Sequence, residues 1–476
     1  AGFDGLPCDP AALPRASTVH DGADGVINFT GLCFRRSGRT AAAVMLHTRW
    51  SIGPIGHEAG GFDGLEGFRR WLSPHPHERE AAASCAIASH VAVIVPLAFP
   101  TDNHMHAMHR LASVLSVLKR RFGTFDDTVR EQIVLVFVEL NGPEAHPPGY
   151  TPRLNAFATF ASALAARWVV VREGAPGDVA TEAPVACFRE AFTVRIQFPG
   201  PSSNPRAKWR PGTTHVTPNS ASAAAESRDA TTEVAFPMFG RRARAHRDTA
   251  ASWRRLLHRC FLGNDAAKLS DAPRNRWDRQ YRPKLTVVIR TETRRFAGFD
   301  QLFPRIVDFW SSRELKGDPD VAVVEHIRST PHDLAKRFRD TDVTIGAFGA
   351  GLMWGYLMPP RSVMVEISRG YGCTAAHGLR GWNVSTRCEY TGDSYAFGHD
   401  HLAVVLPPKY GDESGGKWEY VPWAVFEAVL RAAMCRWRHD PTLSAVVPTR
   451  RTCAVPFDRI FQEHGEDPLT AGDREA

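Results

Sequence analysis

Three segments carry residue types and spacings suited to holding an anionic ligand and moving a proton. The first is Asp342-Val-Thr-Ile-Gly-Ala-Phe-Gly-Ala-Gly-Leu352, where a β-prone run enters small residues before a helix. Small residues let a ligand approach the backbone, and a helix start offers N–H groups with no intrahelical acceptor. That chemistry suits a diphosphate; the competing use of such a stretch is a tight turn that seats a helix on a sheet. It is not a P-loop, because no Gly-Lys-Ser/Thr follows, and it is not a G-x-G-x-x-G dinucleotide fingerprint. The second segment is Ile289-Arg-Thr-Glu-Thr-Arg-Arg295, placed at the carboxyl end of a strand, where α/β proteins bind ligands. Arg290, Arg294 and Arg295 can clamp a pyrophosphate in bidentate fashion, or form a solvated basic loop.

The third segment is Asp102-Asn-His-Met-His-Ala-Met-His-Arg110 at a helix start. Met105, Met108, Leu111, Leu115, Leu118 and Phe122 make one apolar stripe at helical spacing. His106 and His109 fall off that stripe, so each is a candidate general base near neutral pH. A metal shared by the two histidines and a plain surface role are the alternatives; no nearby carboxylate completes a metal set, and none is expected. Asp318-Pro-Asp320 has the spacing of a nucleotide–metal motif, but a turn before a strand uses the same residues.

The elements that must position these residues read as alternating strands and helices. Residues 1–80 read as irregular with a few strands. Buried-strand runs at 90–99 and 132–139, helices at 103–122 and 154–166, and a strand at 168–171 make a first α/β domain with a largely parallel sheet. Residues 200–232, rich in Ser, Pro, Ala, Thr and Arg, read as a flexible insertion. A second α/β series follows, with strands at 285–289, 321–325, 342–345 and 362–367 and a helix at 299–314. Thr330-Pro-His-Asp333 predicts a helix start, with Thr as N-cap and Pro at the first helical position. A late helix spans about 423–437. The pattern predicts twin Rossmann-like domains facing a cleft: 1–265, then 280–415, with 416–476 packing back on the N-terminal domain.

The chain has 476 residues, 43% hydrophobic and 23% charged, which fits two or three globular domains. Its net charge of +7 is modest for that length and suits an anionic small molecule. No basic stripe with interleaved aromatics is visible, so nucleic acid is not expected as a partner. Nine scattered cysteines without C-x-x-C argue against structural zinc. Sequons at Asn28 and Asn383, together with those cysteines, tilt the reading towards an oxidising compartment. There is no run of about 20 apolar residues, so membrane attachment is expected only through a segment absent from this chain. Trp418, Trp423 and Trp437 suit either sugar stacking or core packing.

Four segments together resemble glycosyltransferase family 61, which includes core β-1,2-xylosyltransferase, the EGF-domain O-GlcNAc transferase and the protein O-mannose β-1,4-N-acetylglucosaminyltransferase. They are Asn103-x-Met-His-x-x-His109, Val185-Ala-Cys-Phe-Arg-Glu-Ala191, Arg290-Thr-x-x-Arg294 and residues 342–367. Together they cover roughly residues 90–370. The sequence departs from the family at Phe348, where the family has His before Gly-Ala-Gly, and at Arg110, where an acidic residue often stands. The resemblance implies a GT-B fold, a UDP-sugar donor, inversion at the anomeric carbon, a glycan or glycoprotein acceptor and residence in the Golgi or endoplasmic reticulum lumen. No cofactor beyond the donor is implied. Arg290 and Arg294 then take the diphosphate, Gly349, Ala350 and Gly351 present N–H groups, Glu366 reaches the ribose, and His106 or His109 is the base. The alternative is a non-catalytic glycan-binding or scaffold protein that keeps the fold.

Overall fold

The computed structural model describes residues 18–21, 26–37, 40–45, 49–51, 85–97, 104–139, 155–172, 185–194, 247–269, 283–291, 294–311, 320–325, 328–368, 383–385, 394, 396–406 and 418–438. The expected insertion at 200–232 lies outside them. Two units divide the chain, Ala1–Trp209 and Arg210–Ala476. Each is an α/β unit built on five adjacent parallel strands.

In the first unit the strands are β1 (Thr18–Asp21), β2 (Val26–Ser37), β3 (Thr40–Met45), β4 (Arg49–Ser51), β5 (Cys85–Leu97), β6 (Ile133–Glu139), β7 (Arg167–Arg172) and β8 (Val185–Val194). Their order is β4-β1-β2-β8-β5-β6-β7-β3. Parallel pairing runs from β8 through β5, β6 and β7 to β3. The long β2 is antiparallel to β8 on one edge and to β1 and then β3 on the other. The pairings therefore close a circuit through β2, β8, β5, β6, β7 and β3: five adjacent strands are parallel, as the largely parallel expectation required, and the antiparallel β2 joins the two ends of that run. The apolar runs Ala92–Val95 and Ile133–Phe137 are buried throughout, as strands covered on both faces require.

Among the described residues, three helices accompany this sheet: α1 (His104–Phe122), α2 (Asp127–Gln132) and α3 (Asn155–Leu164). The stripe of α1 is buried from Met105 to Leu118 and is wider than its spacing suggested, taking in Ala107, Ala112, Val114 and Val117; Phe122 is only half-buried. At the end of α1, Arg121 donates to Asn28 Oδ1 at 2.9 Å, pairs with Glu190 and lies 4.7 Å over the Phe192 ring. One long side chain thus ties a helix end to both β2 and β8.

The second unit opens with α4 (Arg247–Leu262) and α5 (Asn264–Leu269). The strands β9 (Leu285–Ile289), β10 (Arg295–Phe296), β11 (Val321–Glu325), β12 (Val343–Ala347), β13 (Val363–Ser368), β14 (Asn383–Ser385), β15 (Asp400–Val405) and β16 (Trp418–Glu419) follow, with helices α6 (Phe299–Ser311), α7 (Pro331–Arg339) and α8 (Trp423–Arg438). A 3-10 helix, Ala350–Leu357, stands between β12 and β13 where the sequence pattern predicted a helix after the Gly-rich turn. The main sheet has the order β11-β9-β12-β13-β15-β14, all parallel except β14. Thr330 caps α7 as expected: its hydroxyl accepts from the Asp333 N–H at 3.1 Å, and Pro331 follows it.

One expectation about organisation is corrected here. Helix α4 belongs to the second unit, not to a domain running to residue 265. It buries Ala250, Trp253, Arg254, Leu257 and His258 on one stripe. Arg254 Nη1 donates to the Phe397 carbonyl at 2.9 Å, and His258 Nε2 donates to the Leu357 carbonyl at 2.9 Å. Helix α8 packs on the second sheet. Its Val425, Phe426, Val429, Leu430 and Trp437 share one core with Val343, Ile345, Val363, Val365, Ile367 and α6. Residues 439–476 lie outside the described residues.

Candidate functional site

The connectivity of the second sheet fixes where a ligand can sit. The chain leaves β9, passes through α6 to β11 on one side, then returns through α7 to β12 on the other. Strand order reverses between β9 and β12, and the crevice outside the carboxyl ends of such a strand pair is the binding position in open α/β sheets. Arg290 follows the last residue of β9, and Phe348, Gly349 and Ala350 follow the last residue of β12. Two separate sequence signals therefore meet at one switch point.

The local geometry there is tight. Gly349 has φ +153°, and a Cβ on it would stand 1.8 Å from Arg290 Nη1. The Arg290 guanidinium thus occupies the space that any other side chain at 349 would need. Arg294 has φ +54°, a left-handed conformation that costs a non-glycine residue about 1–3 kcal/mol. In that conformation its Nη1 donates to the Phe348 carbonyl at 3.2 Å, and its guanidinium lies 4.8 Å over the Phe348 ring. Phe348 itself is only 7% exposed. Below this layer the 3-10 helix sits directly on the sheet. A Cβ at Gly346 would be 2.9 Å from Leu352 Cδ2 and 3.0 Å from Val288 Cβ; one at Gly355 would be 2.6 Å from Met364 Cε. Gly351 through Leu357 are all buried, while Ala350 stays half-buried at the opening. The small residues therefore serve both readings of the segment: they seat a helix on the sheet, and they set guanidinium groups beside backbone.

No protein-family model matches the chain. No curated protein matches its sequence. The site must therefore be read from its own geometry.

Glu366 does not open towards a ligand. It stands opposite Gly346 in the β12–β13 register and is fully buried, with Oε2 3.2 Å from His401 Nε2 on β15. Burial pushes its carboxyl well above the ordinary range, and the nearby Arg294 charge opposes that rise. The expected reach to a ribose is corrected: side chains alternate along β13, and Met364 and Glu366 point away from the α6/α8 core into the layer beneath the 3-10 helix. Asp320, the described half of the Asp-Pro-Asp motif, lies at the amino end of the sheet. It is held by Arg337 at 2.5 Å and Lys284 at 3.4 Å. Burial raises its pKa, but the bond and charge of Arg337 and the charge of Lys284 outweigh burial and hold it below the usual value.

His106 and His109 lie on the first two turns of α1, in the first unit, and their side chains are outside the described residues. The structure brings Arg290, Arg294, Gly349 and Ala350 together within the second unit. Asn28 sits mid-strand in β2, paired with His20 of β1 and Phe192 of β8, with its amide engaged by Arg121. That placement differs from the exposed loop expected of a glycosylation acceptor. Asn383 begins the edge strand β14. Trp437 is buried in the second core and Trp423 packs against it, the packing alternative for both.

Sequence reading missed His401, which partners Glu366, and the polar pair Arg254 and His258. The signal for the pair was present: an Arg and a His four residues apart on the same helical stripe as Ala250, Trp253 and Leu257. Polar groups on a buried face must find acceptors, and these find the carbonyls that end the 3-10 helix and the Phe397 turn.

Proposed function

We propose that the carboxyl edge between β9 and β12 binds the diphosphate of a nucleotide-sugar. On this reading the chain is an inverting glycosyltransferase of GT-B arrangement. It moves xylose or N-acetylglucosamine from a UDP-sugar to a glycoprotein glycan or protein hydroxyl in the secretory pathway. The observation that carries the reading is the seating of Arg290 against Gly349 with Arg294 beside it, at the switch point of a parallel sheet. Arg guanidinium groups and backbone N–H groups at a helix start are the two group types that best hold a diphosphate. In the reaction, an acceptor oxygen attacks the anomeric carbon from the face opposite the diphosphate. The carbon–oxygen bond to the diphosphate breaks, its electron pair stays on the phosphate oxygen, and Arg290 and Arg294 stabilise that charge. The acceptor proton passes to His106 or His109.

The test is UDP release from a panel of UDP-sugars, with and without EDTA, beside calorimetric UDP binding. Selective turnover of one donor that survives EDTA is the expected result. His106→Ala or His109→Ala should cut turnover by about 100-fold or more while leaving UDP affinity intact; full activity in both variants removes the base assignment. One observation favours a second reading, a non-catalytic glycan-binding or scaffold protein. Phe348, standing where the resembling family has His, has no proton to exchange and serves as a platform for Arg294. UDP binding without turnover of any donor selects that reading.

A further inference from the structure

Beside the arginine layer, the same sheet edge carries a carboxylate that neither the sequence pattern nor the diphosphate reading uses. Glu325 is the last residue of β11 and stands level with Ile289 of β9 in the parallel register. The residues after Ile289 turn to opposite sides. Arg290 lies against Gly349 at the end of β12, and the Thr291 hydroxyl donates to Glu325 Oε1 at 2.5 Å. Arg328 Nε lies 3.3 Å from the other oxygen, Oε2. The turn that follows β11 folds back on the same residue, with the Arg328 and Ser329 N–H groups donating to the Glu325 carbonyl at 3.2 and 3.0 Å. The side chain is therefore fixed, yet it keeps 12% exposure.

The order along the edge is then carboxylate, arginine, glycine turn, from β11 through β9 to β12. Neighbouring strands lie about 4.8 Å apart, so the carboxylate and the glycine turn are separated by about 10 Å, with the arginine between them. A nucleoside diphosphate has the same sequence of groups, with ribose hydroxyls at one end of that span and phosphates at the other. A carboxylate has about four acceptor positions. Among the described residues two are taken, one on each oxygen, by Thr291 and Arg328. The two that remain match the two hydroxyl donors of a ribose cis-diol.

We propose that Glu325, oriented by Thr291 and Arg328, binds the ribose hydroxyls of the nucleotide and makes this edge selective for ribonucleotides over their 2′-deoxy forms. The proposal rests on the diphosphate reading of the β9–β12 edge and assigns the ribose role to Glu325 instead of the buried Glu366.

The test is calorimetric binding of UDP, GDP and their 2′-deoxy counterparts to the full chain and to Glu325→Gln, with thermal melting to confirm that the variant folds. In the unmodified chain, the ribonucleotide that binds should do so about 10- to 100-fold more tightly than its 2′-deoxy form, the range for a hydrogen bond to a charged group. In Glu325→Gln the ribonucleotide should weaken more than its 2′-deoxy form, which has only the 3′-hydroxyl contact to lose, so the preference for ribo over deoxy should shrink towards one. Thr291→Val should move affinity the same way by a smaller factor, and it keeps the proposal testable if Glu325→Gln does not fold. Equal binding of ribo and deoxy forms to the unmodified chain, or equal weakening of both in Glu325→Gln, overturns the ribose assignment and leaves the diphosphate reading standing. If none of the four nucleotides binds the unmodified chain, the diphosphate reading fails and the ribose assignment falls with it.

Discussion

The two ends of the second sheet are built on different principles. At the amino end, Arg337 donates through Nε to Thr286 Oγ1 at 2.8 Å, through Nη1 to Asp320 at 2.5 Å and through Nη2 to the Leu285 carbonyl at 2.7 Å. Asp342 accepts from the Lys284 N–H at 2.9 Å, and Thr286 and Thr341 share a bond at 2.7 Å. Opposite charges meet there, while the turns that lead into β13 and β15 carry positive φ at Arg361 and Gly398. At the carboxyl end, guanidinium groups are instead set against a glycine, a carbonyl and a phenyl ring, and two residues hold positive φ. Positive φ occurs at both ends, so what sets the carboxyl end apart is guanidinium placed against backbone and not against a carboxylate. The amino end is organised to hold the sheet together; the carboxyl end is organised around close approach to backbone.

The most severe way to break that contrast is Gly349→Ala. A methyl group would collide with Arg290 and sit at φ +153°. Donor affinity should fall by about 100-fold or more, equivalent to about 2.7 kcal/mol, and stability by about 1–3 kcal/mol. Calorimetry and thermal melting read the two effects. Unchanged UDP affinity would mean that the turn only seats the 3-10 helix. Next comes Arg337→Ala at the other end. It removes three hydrogen bonds from a partly buried guanidinium, and stability should fall by about 2–3 kcal/mol, with the half-exposed ion pair itself adding little. Donor binding should hold; a parallel loss of binding would show that the two ends are not separable. Arg294→Ala should do the reverse on a smaller scale: about 10- to 30-fold weaker donor binding, with stability nearly held, because alanine keeps the left-handed strain and gives up only the bond to the Phe348 carbonyl.

The same contrast shows what sequence made legible. Long apolar strands such as Ile133–Glu139 and Leu285–Ile289 announced themselves, because a parallel strand covered on both faces has no polar period to confuse it. The Thr330 cap was legible because its chemistry is local. The pairing of Arg290 with Gly349 was half legible: each residue was marked, but only strand order puts residues 59 positions apart at one switch point. Helix α4 was misassigned because an amphipathic stripe gives no information about which sheet receives it, and Arg254 and His258 disguise a buried face as a polar one. Glu366 was placed near a ribose from its position late in a strand. Its neighbour His401 lies 35 residues away and gave no local sign that the carboxyl is enclosed.

The finest separation of the two ends is the sign of their pH dependence. Asp320 has a pKa held below its ordinary value in the fold. The unfolded chain therefore takes up a proton there first as pH falls. Its contribution to stability is present above the unfolded carboxylate range and is lost on acidification through the folded value. Glu366 has a pKa pushed well above its ordinary value by burial. The fold keeps that proton after the unfolded chain has released it, so its contribution is complete below the ordinary carboxylate range and is lost as pH rises towards the folded value. Asp320→Asn should flatten the acid limb of a melting-temperature profile, and Glu366→Gln should flatten the limb above the ordinary carboxylate range. Because glutamine keeps the shape of the protonated acid, Glu366→Gln should gain stability over the unmodified chain as pH rises and match it below about pH 3, where the carboxyl is neutral in both states. A Glu366→Gln variant that loses stability as pH rises would mean that the enclosed carboxyl is ionised, paired with His401 and Arg294. The layer beneath the 3-10 helix would then be an ion-paired network like the one at the amino end.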